Sequence, residues 1–308
     1  MPQATIARRG DAPAAPRPSP LWPAQLDHIT RESDRPDALI AFYRDAMGMN
    51  PRELGAGQWL LEAPARRIVI AAGAKGAQPM SAFRLQDARQ LAALKAHLSG
   101  QGLTPMACPT ALFAEGFAVR DPDDRWVAFG LPDRAHGAPA ANGLAAARLP
   151  GRLQHVVVAT DRLRPLIDFY AKTLGFVESD HVFDGETGEN DTGGGEVTAT
   201  FLRSDPEHHS FAAFRAPAAR PDHHCYETTC WNDIRDWADH MAACRIKLWW
   251  GPGRHGPGNN LFFMVEDPDG YKVELSAELE LMGRAAAPRA WKHEERTLNY
   301  WGQAWMRS

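Results

Sequence analysis

Two stretches of the chain carry the same alternation followed by the same helical stripe. Residues 26–49 read LDHITRESDRPDALIAFYRDAMGM, and residues 153–176 read LQHVVVATDRLRPLIDFYAKTLGF. Aligned from their first residues they share Leu, His, Asp-Arg, Leu-Ile, Phe-Tyr and Gly in register. Each opens on a short alternating or β-branched run, which predicts a strand. Each continues into an amphipathic helix, with Leu39, Ile40, Phe42, Tyr43 and Met47 on the apolar face of the first. Leu166, Ile167, Phe169, Tyr170 and Leu174 repeat that face in the second. Gly48 and Gly175 fall where a helix end takes a left-handed residue. The ends of the two halves match as well: AVRDPDDRWVAF at 118–129 parallels MVEDPDGYKVEL at 264–275. Asp-Pro-Asp between alternating runs predicts a hairpin. Further helical patterns at 86–99 and 231–243 follow strand-like runs. The predicted fold is α+β, built from tandem βαβββ modules by internal duplication.

Composition changes the picture little. The 308 residues are 44% hydrophobic and 23% charged, which is ordinary for a folded protein. Residues 1–24, rich in Pro, Ala and Arg, predict a flexible N-terminal arm. An Ala- and Gly-rich stretch at 136–150 predicts a linker between domains at 25–135 and 151–280, and residues 281–308 remain as a tail. The formal net charge of −4 gives no basic footprint for nucleic acid. No run approaches the ~18 apolar residues of a membrane span, and the start carries no signal-peptide pattern. Cys108, Cys225, Cys230 and Cys244 have neither zinc-ribbon nor disulfide-framework spacing, so reduced thiols and a cytoplasmic location are expected.

The histidine-bearing first strand and the closing DPDGYKVE hairpin resemble the vicinal oxygen chelate superfamily (the glyoxalase, bleomycin-resistance and dihydroxybiphenyl dioxygenase fold). There, paired βαβββ modules curl into a cup around a metal. The two-module length and the string GPGRHGPGNNLFFMVEDPDGYKVEL at 251–275 narrow the resemblance to the type I extradiol ring-cleavage dioxygenases, of the catechol 2,3-dioxygenase and homoprotocatechuate 2,3-dioxygenase kind. The tail ERTLNYWG resembles the closing segment of the latter.

The resemblance implies a non-haem Fe(II) site of two histidines and one carboxylate, with Mn(II) as the alternative ion and an open face for substrate and O₂. By motif position the ligands are His155, His224 and Glu274. Strand alternation allows only one of the adjacent His223 and His224 to face the metal. It sets Glu274 on one face with Lys272 and Ser276, opposite Val273 and Leu275. In the first half His28 stands at the place of His155, but Ala128 replaces Glu274 and no second histidine precedes His97. The metal site is therefore expected in the second half alone.

His209 falls at the family's acid–base position and His255 at that of a histidine binding substrate or oxygen, both suited by an imidazole pKa near 6.5. His208, its neighbour, is expected to face solvent. A tyrosine usual ten residues before the glutamate is Met264 here, so Tyr226 or Tyr271 stands in or the substrate is held otherwise. Arg254 and Arg296 match regions that engage a substrate carboxylate in the homoprotocatechuate enzymes. Trp291, Tyr300, Trp301 and Trp305 make the tail too apolar for a free end, and it is expected to close over the mouth or a neighbouring subunit.

These features together imply meta cleavage of a catechol-type diol to a ring-opened semialdehyde in aromatic degradation, by a homo-oligomer. The alternatives are another metal-dependent enzyme of the superfamily, an isomerase or lyase, and a non-catalytic aromatic-binding protein.

Overall fold

A computed structural model describes residues 20–133, 148–185 and 195–306. Most of the expected arm and of the expected linker lie outside the described residues; the arm's last residues, 20–24, are packed, not free, with Leu21 and Ala24 buried and the Ala24 N–H donating to the Ser204 carbonyl at 2.8 Å.

Each half holds two βαβββ units. The first half runs β1 (Gln25–Ser33), α1 (Pro36–Asp45), β2 (Asn50–Gly55), β3 (Gln58–Ala63) and β4 (Arg66–Ala72), then β5 (Met80–Arg84), α2 (Ala88–Gly100), β6 (Met106–Ala107), β7 (Phe113–Arg120) and β8 (Trp126–Pro132). The second runs β9 (Arg152–Thr160), α3 (Leu163–Asp168), β10 (Val177–Phe183), β11 (Val197–Arg203) and β12 (Phe211–Arg215). Its second unit is β13 (Arg220–Glu227), α4 (Trp231–Ala243), β14 (Leu248–Arg254), β15 (Leu261–Glu266) and β16 (Lys272–Ala277). The strand orders are β2-β3-β4-β1-β5-β8-β7-β6 and β14-β15-β16-β13-β9-β12-β11-β10, the second extended by β17 (Arg289–Lys292) from the tail.

The helices form where the apolar stripe requires. α1 begins on Pro36, whose missing N–H costs nothing at a helix start, and buries Leu39 and Tyr43. α4 buries Ile234, Trp237 and Met241, one face at helical spacing. α3 continues through a π-helical turn and stops at Gly175, whose φ of +92° is the left-handed conformation expected there. The Asp-Pro-Asp segments make the tight turns of two hairpins, with Val119 opposite Val127 and Val265 opposite Val273.

One face of each sheet packs into a shared core between the halves, where Phe83 meets Phe176 edge-on at 5.3 Å. The opposite faces curl into two cups. The first is filled by Met80, Ala82, Phe113, Ala118 and Ala128. The second is lined by Val157, Phe201, Phe214, Met264 and others, but its floor is polar. The tail crosses this second cup: β17 pairs parallel with the edge strand β10, and a short helix, α5 (Glu295–Leu298), brings Thr297 and Leu298 to the mouth. Among the described residues no helix is long and apolar enough to cross a membrane.

Candidate metal centre

The register of three central strands assembles the floor of the second cup. Cys225 on β13 lies opposite His155 on antiparallel β9 and opposite Glu274 on parallel β16. His223, two residues before Cys225, shares its face. The Glu274 carboxylate Oε2 lies 3.0 Å from His223 Nε2 and 3.5 Å from His155 Nε2. Ligand bonds of about 2.1 Å at right angles put donor atoms roughly 3 Å apart, so this spacing suits one divalent ion.

Neighbouring groups set the free nitrogen of each imidazole. The Gln154 amide donates to the His209 carbonyl at 2.7 Å, which turns its oxygen to His155 Nδ1 at 2.5 Å. His155 Nδ1 therefore carries the proton and Nε2 keeps its lone pair. The Asp222 carboxylate accepts from His223 Nδ1 at 2.6 Å and does the same for that ring. Burial, the largest influence, depresses the pKa of His155, favouring the neutral ligand form. Burial opposes ionisation of Glu274 as well, but the surrounding imidazoles of His155, His223 and His255 hold its carboxyl well below the usual range. Burial also works against protonation of His223, and bonds to Asp222 and Glu274 outweigh it, raising that pKa. Glu274 thus faces both rings, and the proton that His223 shares with it is one that a divalent ion would displace. The donor set fits a divalent metal on its own chemistry.

His224, expected as the second ligand, is on the opposite face. Its ring stacks against Tyr43 and Tyr271, with centroids 6.1 and 5.4 Å away. Burial and then the nearby Arg31 guanidinium push its pKa well down, so it is a neutral core ring. The alternation that admits one member of the pair admits His223, because Tyr226 must reach the interdomain core and carries His224 to that side. Tyr226 is thereby removed from the cup, and Tyr271 donates its hydroxyl to Gln78 at 2.8 Å on the same side. Neither replaces the missing tyrosine, and Met264 lines the cup with its thioether. Cys225 Sγ also lies within 4.8 Å of ligand atoms of His155 and Glu274. Burial pushes its thiol well up, and it does not line the cavity, which favours His223 as the third donor.

The cavity above this floor is lined by His209 and His255 as well. The His209 ring lies tilted against that of His155, with centroids 4.3 Å apart. His255 lies flat on Phe262 at 3.7 Å and donates Nδ1–H to the Leu298 carbonyl at 2.5 Å, which turns Nε2 toward Glu274, 3.7 Å away. His208, expected at the surface, is fully buried beside His209. The two arginines are elsewhere. Arg254 donates to the Asn259 carbonyl at 2.6 Å and to Glu278 at 2.8 Å, and Arg296 sits over Tyr300 on the outer side of the tail. Neither lines the cavity, because the local turn and tail claim their guanidinium groups.

Comparison with known proteins agrees with this architecture. Residues 152–275 match the model of the Glyoxalase/Bleomycin resistance protein/Dioxygenase superfamily. Metapyrocatechase 2 of Cupriavidus necator is 28% identical over 231 residues, 68% of each chain. Homoprotocatechuate 2,3-dioxygenase from Arthrobacter globiformis superposes with a TM-score of 0.72 at 21% identity, covering 96% of this chain and 92% of that one. A Mn(II)-bound glyoxalase from Novosphingobium aromaticivorans superposes with a TM-score of 0.70 at 21% identity, over 90% of both chains. The fold is that of the vicinal oxygen chelate proteins.

Proposed function

We propose that this protein is an extradiol ring-cleaving dioxygenase, holding its metal through His155, His223 and Glu274. The observation that carries the reading is the meeting of two oriented imidazoles and one carboxylate, 3.0 and 3.5 Å apart, beneath a cavity that also presents His209 and His255. Sequence similarity to a metapyrocatechase supports the same chemistry. When bound, an Fe(II) or Mn(II) ion supplies two-point attachment of the diol and a path for electrons from the ring to O₂.

The protein's own part is positional and protonic. Val157, Phe201, Phe214, Met264 and Leu298 form an apolar wall that excludes water and packs against the ring. His209, neutral because burial depresses its pKa strongly, accepts a proton from the incoming diol and returns it as the O–O bond breaks. His255, with Nδ1 engaged by Leu298, offers Nε2 on the other side of Glu274 to a substrate hydroxyl. Both atoms of O₂ enter the product, a ring-opened semialdehyde.

The wall also defines the substrate class. With no arginine or lysine in the lining, a ring carboxylate would be buried without a partner, whereas an alkyl or aryl substituent meets Phe and Met side chains. The acids handled through arginine in the homoprotocatechuate enzymes are disfavoured, and catechols with apolar substituents are preferred. Glu274 is the sole carboxylate among the cavity-lining residues, which favours the redox reading over isomerase or lyase chemistry.

The test is anaerobic Fe(II) reconstitution followed by O₂ and a panel of catechol, alkylcatechols and 3,4-dihydroxyphenylacetate. Oxygen uptake matched by a new visible absorbance, strongest with alkylcatechols, is expected. Protein that holds stoichiometric metal and takes up no oxygen with any diol would overturn the proposal.

A further inference from the structure

The two adjacent histidines at 208 and 209 lie in an irregular segment before β12, where both rings turn inward. His208 Nδ1 is 2.9 Å from His209 Nδ1, and His208 Nε2 is 2.8 Å from Asp180 Oδ2. Asp180 is fully buried on β10 and receives two bonds from Arg289, Nε to Oδ1 at 2.8 Å and Nη2 to Oδ2 at 3.0 Å. Arg289 is the register partner of Asp180 on the tail strand β17 and also grips Glu280, with contacts of 3.1 and 2.7 Å. Main-chain bonds hold His208 in place: its N–H donates to the Glu280 carbonyl at 2.9 Å, and its own carbonyl accepts from Ser179 Oγ at 2.5 Å.

The proton positions along this chain follow from what each group can do. The Asp180 carboxylate only accepts. The paired Arg289 guanidinium holds it ionised, below its usual range against the effect of burial. His208 Nε2 must therefore carry the hydrogen. Neutral His208 then has a lone pair on Nδ1, which accepts from His209 Nδ1–H. His209 is left with an unprotonated Nε2 on a ring that lines the cavity.

We infer that His208 and Asp180, braced by Arg289 of the tail, are positioning residues that fix the tautomer and aim of His209 toward the substrate. This inference rests on the dioxygenase reading. It adds a function for a buried Asp–His pair that touches neither metal ligand nor substrate, and it makes the tail strand part of the catalytic support. The logic is that of a carboxylate holding a catalytic imidazole in the productive tautomer, extended by one further ring.

The experiment compares metal-loaded wild type with His208→Leu, His208→Asn and Asp180→Asn. Metal content, kcat, KM for an alkylcatechol, and ring-opened product formed per O₂ consumed are measured for each. Leucine removes the acceptor for His209 Nδ1–H, so kcat falls about 100-fold with KM within about 3-fold and metal content unchanged. Asparagine restores an acceptor near the Nδ1 position, and recovers at least about 10-fold of that loss. Asp180→Asn is isosteric but can donate to His208 Nε2, reversing both tautomers, and falls with the leucine variant. It carries the test if His208→Leu does not fold. Product per O₂ drops in the slow variants as O₂ leaves as H₂O₂, its two electrons and two protons taken from the diol, which leaves as the quinone. Two outcomes overturn the inference: kcat within about 3-fold of wild type in His208→Leu or Asp180→Asn, or equal loss in the asparagine and leucine variants, which would mark a packing role. An inactive, fully metallated wild type is a different result and counts against the dioxygenase reading instead.

Discussion

Replacing the neighbouring histidines at 223 and 224 one at a time separates the proposed metal ligand from a core ring on adjacent residues of one strand. His223→Ala removes a nitrogen 3.0 Å from Glu274 and leaves Asp222 buried without its imidazole partner. Loss of an outer partner of a ligand typically costs 10–100-fold in metal affinity, and loss of the ligand itself should exceed about 100-fold. His224→Ala leaves the donor trio intact but empties a fully buried site between Tyr43 and Tyr271. By the costs of large-to-small core changes, that destabilises by roughly 2–4 kcal/mol. For a protein of this size the midpoint of thermal unfolding drops by roughly 5–10 °C. His224→Phe refills the volume and removes a buried ring nitrogen, Nδ1, that lacks a hydrogen-bond partner, so most of that loss should be recovered. Metal per chain after desalting, read beside the unfolding midpoint, gives opposite signatures: His223→Ala loses metal, and His224→Ala keeps metal but melts early. The reverse pattern, with metal lost from His224→Ala and kept by His223→Ala, would refute the face assignment and the proposed centre with it.

Asp222→Asn keeps a hydrogen-bond partner for His223 but removes its charge, and should lower metal affinity 10–100-fold in a competition titration with a chelator. Burial raises the Glu227 carboxyl from an ordinary 4.5 to about 7, so the folded state binds a proton that the unfolded chain releases across that interval. Stability from this group is therefore full below about pH 4.5 and falls as pH rises to about 7. Glu227→Gln should be neutral at pH 4.5 and stabilising by about 3 kcal/mol at pH 8, as denaturant midpoints at the two pH values will show. Deleting residues 287–308 removes Arg289, Thr297 and Leu298 together, and should cut kcat at least as deeply as His208→Leu. An unaffected truncation would contradict the tail's place over the cup.

Much of this was readable from the residues because it depends on local period and repetition. The paired openings, the amphipathic helices at 86–99 and 231–243 and the Asp-Pro-Asp hairpins all appear at their expected places, as α2, α4 and the β7–β8 and β15–β16 turns. His155 and Glu274 meet across the sheet. The choice between His223 and His224 was not readable from position in a motif, since one residue of slip reverses every side chain. The signal that decides it is Tyr226, a large ring that belongs with the apolar face and takes His224 with it. The expectation for His208 failed for another reason. Alternation applies to strands, and residues 204–210 precede β12 as irregular chain, where consecutive rings can turn the same way. Arg254 and Arg296 depended on partners in a turn and a tail, neither of which has a period to read.

The first half shows why a duplicated cup retains one centre. His28 faces Ala82 on β5 as His155 faces Cys225, and Ala82 faces Ala128 as Cys225 faces Glu274. Two residues before Ala82 stands Met80, at the place of His223. His28 even keeps an orienting partner, Asp27 at 2.7 Å, in the place of Gln154. Its other nitrogen meets Thr110 Oγ1 at 2.9 Å, and Phe113 packs edge-on against the ring at 5.2 Å. A lone imidazole is thus satisfied by Asp27, one hydroxyl and an apolar plug. The second cup has no such resolution. A fully buried carboxylate faces two imidazoles whose Nδ1 protons are already committed to Asp222 and Gln154. Without a metal the floor rests on a proton shared between His223 and Glu274, a buried charged pair that desolvation makes costly. A divalent ion would replace that proton and satisfy both rings and the carboxylate at once, in the half that has Glu274; the half that has Ala128 is filled by an apolar plug instead.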